Sequence, residues 1–344
     1  MTPASAQVPA PSDTRGFFGH PRGLSTLFFT EMWERFSYYG MRAILTLFML
    51  AAVEEGGLGF AKSESGPIYA MYTSLVYLMS IPGGWLADNI LGQRRAVFWG
   101  GVTIMCGHIL LAVHGFGVST FFAGLGFVIM GTGLLKPNIS VIVGQLFSPQ
   151  DTRRDAAFSL FYQGINLGAF LGPLVTGFLV KTEKFREIVA GWGMDPNSVW
   201  HWGFGAAGVG MTLGLIQYVI GWKYLGTAGL RPPTASSPEE FARAKRQAIL
   251  YCSIGAVVLI ALGVAIGGGS VTVTRANVTT VFTILLLTVT IGIFGSLFMR
   301  KDWTTVERRR LYMIGVYFVA AALFWSVFEQ AGSTLNLFAD ELTN

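Results

Sequence analysis

Nine apolar runs alternate with short polar segments along this chain: residues 24–53, 66–87, 95–114, 119–146, 154–180, 200–222, 246–267, 277–299 and 309–338. A helix needs about 20 apolar residues to cross the hydrocarbon core. The pattern therefore predicts an all-α polytopic membrane protein. Pro82, Pro137 and Pro173 fall inside runs, but membrane helices tolerate proline. The sizeable polar segments are the tail 1–23, a loop near 181–199 and a linker near 223–245. The Pro-rich stretch of that linker, residues 229–238, reads as a junction between units. Residues 239–246 read as a short amphipathic helix after it.

Six charges interrupt the apolar runs. Glu31, Glu34, Arg35 and Arg42 crowd the first, and Lys136 and Glu329 each lie within another. A charge at the bilayer centre costs roughly 2.5–3.5 kcal/mol on insertion scales. The set holds three acids and three bases and so neutralises itself, which points to a water-accessible cavity and a proton or ion pathway. Residues 31, 35, 38 and 42 share one helix face, with Glu34 beside them. A glutamate held between a nearby base and a desolvating environment can take up and release a proton near neutral pH. The plainer alternative is a static ion-pair network that holds helices together.

Lys and Arg outside the runs set the orientation. Arg15, Arg22, Arg94, Arg95, Arg153, Arg154 and the clusters in 223–246 and 300–310 share the side of the N-terminus. Only Lys62, Lys181, Lys184, Arg186 and Arg275 fall opposite. The bias predicts a cytoplasmic N-terminus, a cytoplasmic (inner) membrane location, an odd number of spans and an outer C-terminus. Charged residues make up 12% of the chain, against about 25% in soluble proteins, which leaves little room for a separate soluble domain. The net charge of +5 lies mostly in those loops, so it does not argue for nucleic acid. Glycine is abundant, 44 of 344 residues, and the Gly/Ala runs of the third and fifth spans read as close-packing faces. Cys106 and Cys252 lie in different runs and read as packing residues. The tail 1–23 shows no apolar core of a cleavable signal.

Four stretches carry a resemblance. The first is Glu31-x-x-Glu34-Arg35-Phe36-x-Tyr38-Tyr39-Gly40. The second runs from Gly83 through Asp88 to Arg94-Arg95. The third is Gly131-Thr132-Gly133-Leu134-Leu135-Lys136-Pro137-Asn138, and the fourth runs from Phe158 through Asn166 to Gly168. Together they resemble the proton-dependent oligopeptide transporters, a branch of the major facilitator superfamily, from about residue 20 to the end. The resemblance implies a cytoplasmic tail (1–23), an N-terminal six-helix bundle (24–222), a cytoplasmic linker (223–245), an inserted helix pair (246–299) and the start of a C-terminal bundle (300–344). The family has twelve core helices and a tenth-helix glutamate for the peptide amino group. This sequence stops after the seventh, so it is expected to be a fragment or a truncated gene and not to transport alone.

The implied activity of the full-length form is proton-coupled symport of di- and tripeptides, with the proton as coupling ion, no cofactor and a monomeric functional unit in lipid. The resemblance assigns Glu31, Glu34, Arg35 and Glu329 to proton coupling. A zwitterionic peptide needs a positive site for its carboxylate, and Arg42 and Lys136 are the available bases. Tyr38, Tyr39 and Tyr77 offer rings and hydroxyls to the peptide, Asn166 a polar group to its backbone, and Glu329 is also placed in the substrate site. Asp88 with Arg94 or Arg95 reads as a cytoplasmic latch, and Lys136 with Glu329 as a salt bridge that opens on transport. Static pairing of Lys136 with a first-helix glutamate remains the alternative.

Other readings stay open. A carrier of nitrate or an amino-acid derivative would share the fold, although nitrate carriers tend to lose the first-helix motif. An inactive half-transporter would follow from truncation. No H-E-x-x-H, G-x-S-x-G, Walker motif or paired metal ligand is present, and His20, His108, His114 and His201 are scattered, so an enzyme is not expected.

Overall fold

The computed structural model describes residues 16–113, 117–230, 237–268 and 275–343. Arg15 with the rest of the tail 1–15, His114, and Arg231 with linker residues 232–236 lie outside the described residues. Twelve α-helices are described: α1 (Arg22–Leu50), α2 (Lys62–Leu78), α3 (Ser80–Leu86), α4 (Gln93–Ala112), α5 (Gly117–Gln145), α6 (Arg154–Lys181), α7 (Glu183–Gly191), α8 (Val199–Gly221), α9 (Pro238–Gly267), α10 (Arg275–Met299), α11 (Thr305–Phe328) and α12 (Thr334–Leu342). Among the described residues there is no strand beyond one isolated bridge, Phe17 with His20.

Among the described residues, six segments are long and apolar enough to cross a membrane: Gln93–Ala112, Gly117–Gln145, Arg154–Lys181, Pro196–Leu225, Thr279–Met299 and Thr305–Leu342. Helix α1 matches them in length but carries five charged residues, Arg22 at its start and four within. The protein is a multi-pass, all-helical membrane protein.

Four segments differ from the sequence pattern. The run 66–87 is not one helix: α2 ends at Leu78, α3 follows, and a π-turn (Ala87–Leu91) leads to α4. Pro82 has no N–H for the Leu78 carbonyl and crowds it, which accounts for the break four residues upstream. The polar loop 181–199 contains α7, which buries Phe185 and Val189 and is capped by Thr182 accepting the Phe185 N–H at 3.4 Å. Residues 239–246 are the first turns of the continuous α9, and the run 309–338 breaks at a 3-10 turn beginning at Glu329.

The helices divide into two compact units, Met1–Phe60 with Tyr72–Ser253, and Ala61–Met71 with Ile254–Asn344. In the first, α6 lies along α1 through Gly164, Gly168 and Gly172, spaced four apart. A methyl on each would meet, in turn, the carbonyls of Phe28, Met32 and Phe36, also four apart. Only glycine permits that approach of two backbones. Thr176 Oγ1 adds a bond to the Gly40 carbonyl at 3.0 Å. Helices α4 and α5 meet the same way: a methyl on Gly100 would lie 2.7 Å from the Gly131 carbonyl, and one on Gly107 2.8 Å from the Gly124 carbonyl. An apolar cluster that includes Leu24, Leu27, Val97, Leu135, Ile139, Ile142 and Tyr218 fills the end of this unit where α1 and α4 begin. One face of α1 is thereby fixed against backbone, and its charged face is set toward the interior.

In the second unit, α10 and α11 meet through Phe294 and Phe318 (centroids 4.9 Å apart) and Phe298 and Tyr312 (5.4 Å). A Thr304–Glu307 capping box starts α11. Lys62 Nζ pairs with Glu341 at 2.6 Å. Val316, Val319, Leu323 and Val327 stand exposed on α11, as an aqueous surface would not favour.

Candidate substrate and proton site

Helix α1 buries the four charges within its length almost completely: Glu31, Glu34, Arg35 and Arg42 are each 5% exposed or less. Arg35 Nε lies 3.2 Å from Glu31 Oε1, one helical turn away, and also donates to Glu34 Oε2. One guanidinium thus serves two carboxylates. Glu31 Oε2, Glu34 Oε1 and Arg35 Nη2 are buried without a hydrogen-bond partner among the described residues. Fully ionised, the trio carries a net charge of −1. Lys136 acts electrostatically on Glu31 from α5 and offsets that charge.

Aromatic rings continue the cluster. The Arg35 guanidinium lies 5.1 Å from the Tyr38 ring centroid, and Arg42 lies 5.8 Å from that of Tyr39. Tyr38 and Tyr39 meet edge to face at 5.2 Å. Lys136 Nζ stands 4.0 Å from the ring centroid of Tyr77, a residue 47% exposed. The half-buried Lys136 thus meets accessible space at Tyr77. Tyr72 is a member that the sequence reading missed. It is 2% exposed and stacks on Tyr38 at 6.3 Å with 24° between the planes. Its signal was there, since 69, 72 and 77 place tyrosines along one short helix, but the partner ring is 34 residues away.

The other assigned residues fall on other elements. Asn166 is exposed on α6, between the packing glycines 164 and 168. Glu329 is partly buried and opens the 3-10 turn after α11, in the second unit. Asp88 lies in the π-turn and accepts from Gln93 Nε2 at 2.8 Å. Arg95 is exposed. Arg94 is buried and donates to the Gly226 carbonyl at 2.9 Å and to the Ala228 carbonyl at 2.7 and 3.1 Å. Around it, the Arg94 N–H bonds the Gly229 carbonyl, Tyr218 Oη bonds the Arg94 carbonyl, and Gln145 accepts from the Gly229 N–H. Arg94 therefore ties the start of α4 to the turn after α8. Gln145 and Tyr218 belong to this knot and had no mark in the sequence beyond being polar near span ends. Among the described residues, no group of three or more His, Cys, Asp or Glu is arranged to hold a metal ion.

Comparison with known proteins places this geometry in context. Residues 94–344 match the model of the POT family. The chain is 42% identical over 328 residues to a Bacillus subtilis (strain 168) protein named "Uncharacterized transporter YclF", covering 95% of this chain and 62% of that one. It is 39% identical over 336 residues to "Peptide transporter YePEPT" of Yersinia enterocolitica subsp. palearctica serotype O:3 (strain YE-P4), covering 96% and 62%. A crystal structure of peptide transporter POT in complex with sulfate superposes with a TM-score of 0.84 at 45% identity, covering 98% of this chain and 65% of that one. The chain spans about three fifths of the length of these relatives.

Proposed function

The chain belongs to the POT family, and from that premise we propose that the full-length protein is a proton-coupled symporter of di- and tripeptides. The observation that carries this reading is the sharing of Arg35 between Glu31 and Glu34, with Lys136 in electrostatic reach. Two carboxylates around one guanidinium form a neutral set only when one proton is bound. Loading that proton removes a buried charge, so Lys136 no longer has to offset it. Lys136 is then available to a peptide carboxylate, together with Arg42.

The rings of Tyr38, Tyr39 and Tyr77 suit side chains of varied shape, because an aromatic face with one hydroxyl imposes little steric selection. Arg42 supplies a bidentate fork and Lys136 a point charge. Cargo and proton each relieve charge in the same cluster. Coupling is then a population shift, in which proton and peptide favour the same conformational transition. Glu329 is assigned to the same proton pathway and substrate site, Asn166 to the peptide backbone, and Asp88, Arg94 and Arg95 to the gate. The coupling ion is the proton, with no cofactor. The transporter sits in the cytoplasmic membrane with its N-terminus inside and acts as a monomer.

The test is uptake of labelled dialanine into proteoliposomes of the full-length protein. An inward proton gradient is expected to drive accumulation, and a protonophore to abolish it. Accumulation that ignores the gradient contradicts symport.

A further inference from the structure

On the side of α1 opposite its charges, a cleft of about 640 Å³ runs between α6 and α8. Val175 and Leu179 of α6 form one wall, and Val209 and Leu213 of α8 the other. Gly205 and Ala206 keep part of the floor low, and Trp33 of α1 lines the cleft as well. Most of the length is apolar, which suits hydrocarbon and not water or peptide.

One end differs. Ser198 and His201 line it beside Trp202. Trp202 lies 5.4 Å from Trp192 and 6.1 Å from Phe185, so three aromatic rings gather at the mouth. Such clusters sit at the membrane–water interface. Phe185 belongs to α7, a short amphipathic helix with Glu183, Lys184, Arg186 and Glu187 on its polar side, the form of an interfacial helix. Arg186 reaches back from α7 to Asn197, adjacent to Ser198, where its Nη1 donates to Oδ1 at 3.4 Å. The guanidinium carries further N–H donors that an anion can engage.

We propose that this cleft is a binding site for one anionic phospholipid, with an acyl chain along the α6–α8 seam and the phosphate at Arg186. The occupant follows from the two ends: a long apolar slot demands a chain, and the aromatic mouth with a guanidinium demands a negative headgroup at interface depth. The site is independent of the peptide and proton cluster.

Gly205 provides the decisive substitution. A methyl there would meet only Ala112 Cβ, at 3.8 Å, so a larger side chain enters the cleft without displacing backbone. Val209→Trp fills the same cleft from an exposed position and serves if Gly205→Leu fails to fold. The experiment is native mass spectrometry of the full-length protein titrated with phosphatidylglycerol or phosphatidylcholine. The wild type is expected to retain one phosphatidylglycerol with roughly tenfold preference over phosphatidylcholine, because both offer the phosphate but the choline cation neutralises the headgroup and repels the Arg186 guanidinium. Gly205→Leu or Val209→Trp is expected to lose that lipid, and Arg186→Gln to keep a lipid but lose the preference. Equal retention of both lipids by the wild type overturns the proposal. So does undiminished phosphatidylglycerol retention in a folded cleft-filling variant.

Discussion

The Lys136 ammonium lies 4.0 Å from the ring centroid of Tyr77, and so joins α5 to α2 through a cation–π contact. At an exposed site such a contact is worth about 0.5–1 kcal/mol, and about 2 when water is excluded. Tyr77→Leu is expected to weaken dipeptide binding about 3- to 10-fold in the full-length protein, because the ring no longer orients the base. Tyr77→Phe keeps the face and is expected to stay close to wild type. Competition binding with dialanine distinguishes the ring from the hydroxyl.

Arg94 and Arg95 are neighbours with opposite fates. Arg94→Ala leaves the buried Ala228 carbonyl, and the Gly226 carbonyl beside it, without their donor, an expected loss of about 1–3 kcal/mol of stability. Arg95 is exposed, and Arg95→Ala is expected to stay within about 0.5 kcal/mol of wild type. Thermal unfolding in detergent compares the pair. Equal Tm values for the two variants contradict the role given to Arg94.

The glycines of α6 divide in the same manner. A methyl on Gly168 collides with the Met32 carbonyl of α1, whereas one on Gly177 meets nothing. Gly168→Ala is expected to cost about 2 kcal/mol or more through backbone displacement. Gly177→Ala is expected to be neutral or to gain about 0.5–1 kcal/mol from helix propensity. Because Arg35 Cβ also borders the Gly168 position, Gly168→Ala is expected to impair gradient-driven uptake as well.

His20 lies outside the spans, buried beside the edge of Phe147 (centroids 5.9 Å apart) and near the Asp151–Arg153 pair. Burial, then the Arg153 charge, lower its pKa below the usual 6.5, while Asp151 works the other way. Hydrogen bonds from Arg153 hold the Asp151 carboxyl down at about 2, so it stays ionised near neutrality. The folded turn therefore binds fewer protons at His20 than the unfolded chain does. Its stabilisation is complete above pH 6.5 and fades as pH falls through the lowered value. The His20 N–H, bonded to the Phe17 carbonyl at 3.0 Å, is expected to lose hydrogen-exchange protection on acidification, after correction for intrinsic rates. His20→Gln is expected to remove that pH step.

Much of the architecture was legible because apolar runs of fixed length leave few options. Most spans emerged within a few residues of the helices now described. The departures have local causes: Pro82 breaks the second span, and α7 was hidden because its nine residues alternate charge with only two buried apolar positions. In the candidate site, the face spacing of 31, 35, 38 and 42 was legible from helical periodicity alone. The sharing of Arg35 with Glu34 was not, since adjacent residues on a helix do not face each other by spacing. Tyr72 and the carbonyls held by Arg94 depend on contacts 34 and more than 130 residues away in sequence, and no short-range pattern encodes them.

The central claim is that the carboxylates sharing Arg35 carry the coupling proton. Its most direct test is Glu34→Gln in the full-length protein, with two readouts from the same proteoliposomes. Gradient-driven dialanine uptake is expected to fall at least about tenfold, while peptide counterflow without a gradient persists, because binding and exchange do not need the proton step. Gradient-driven uptake that survives in Glu34→Gln, or the loss of uptake and counterflow together, contradicts the account.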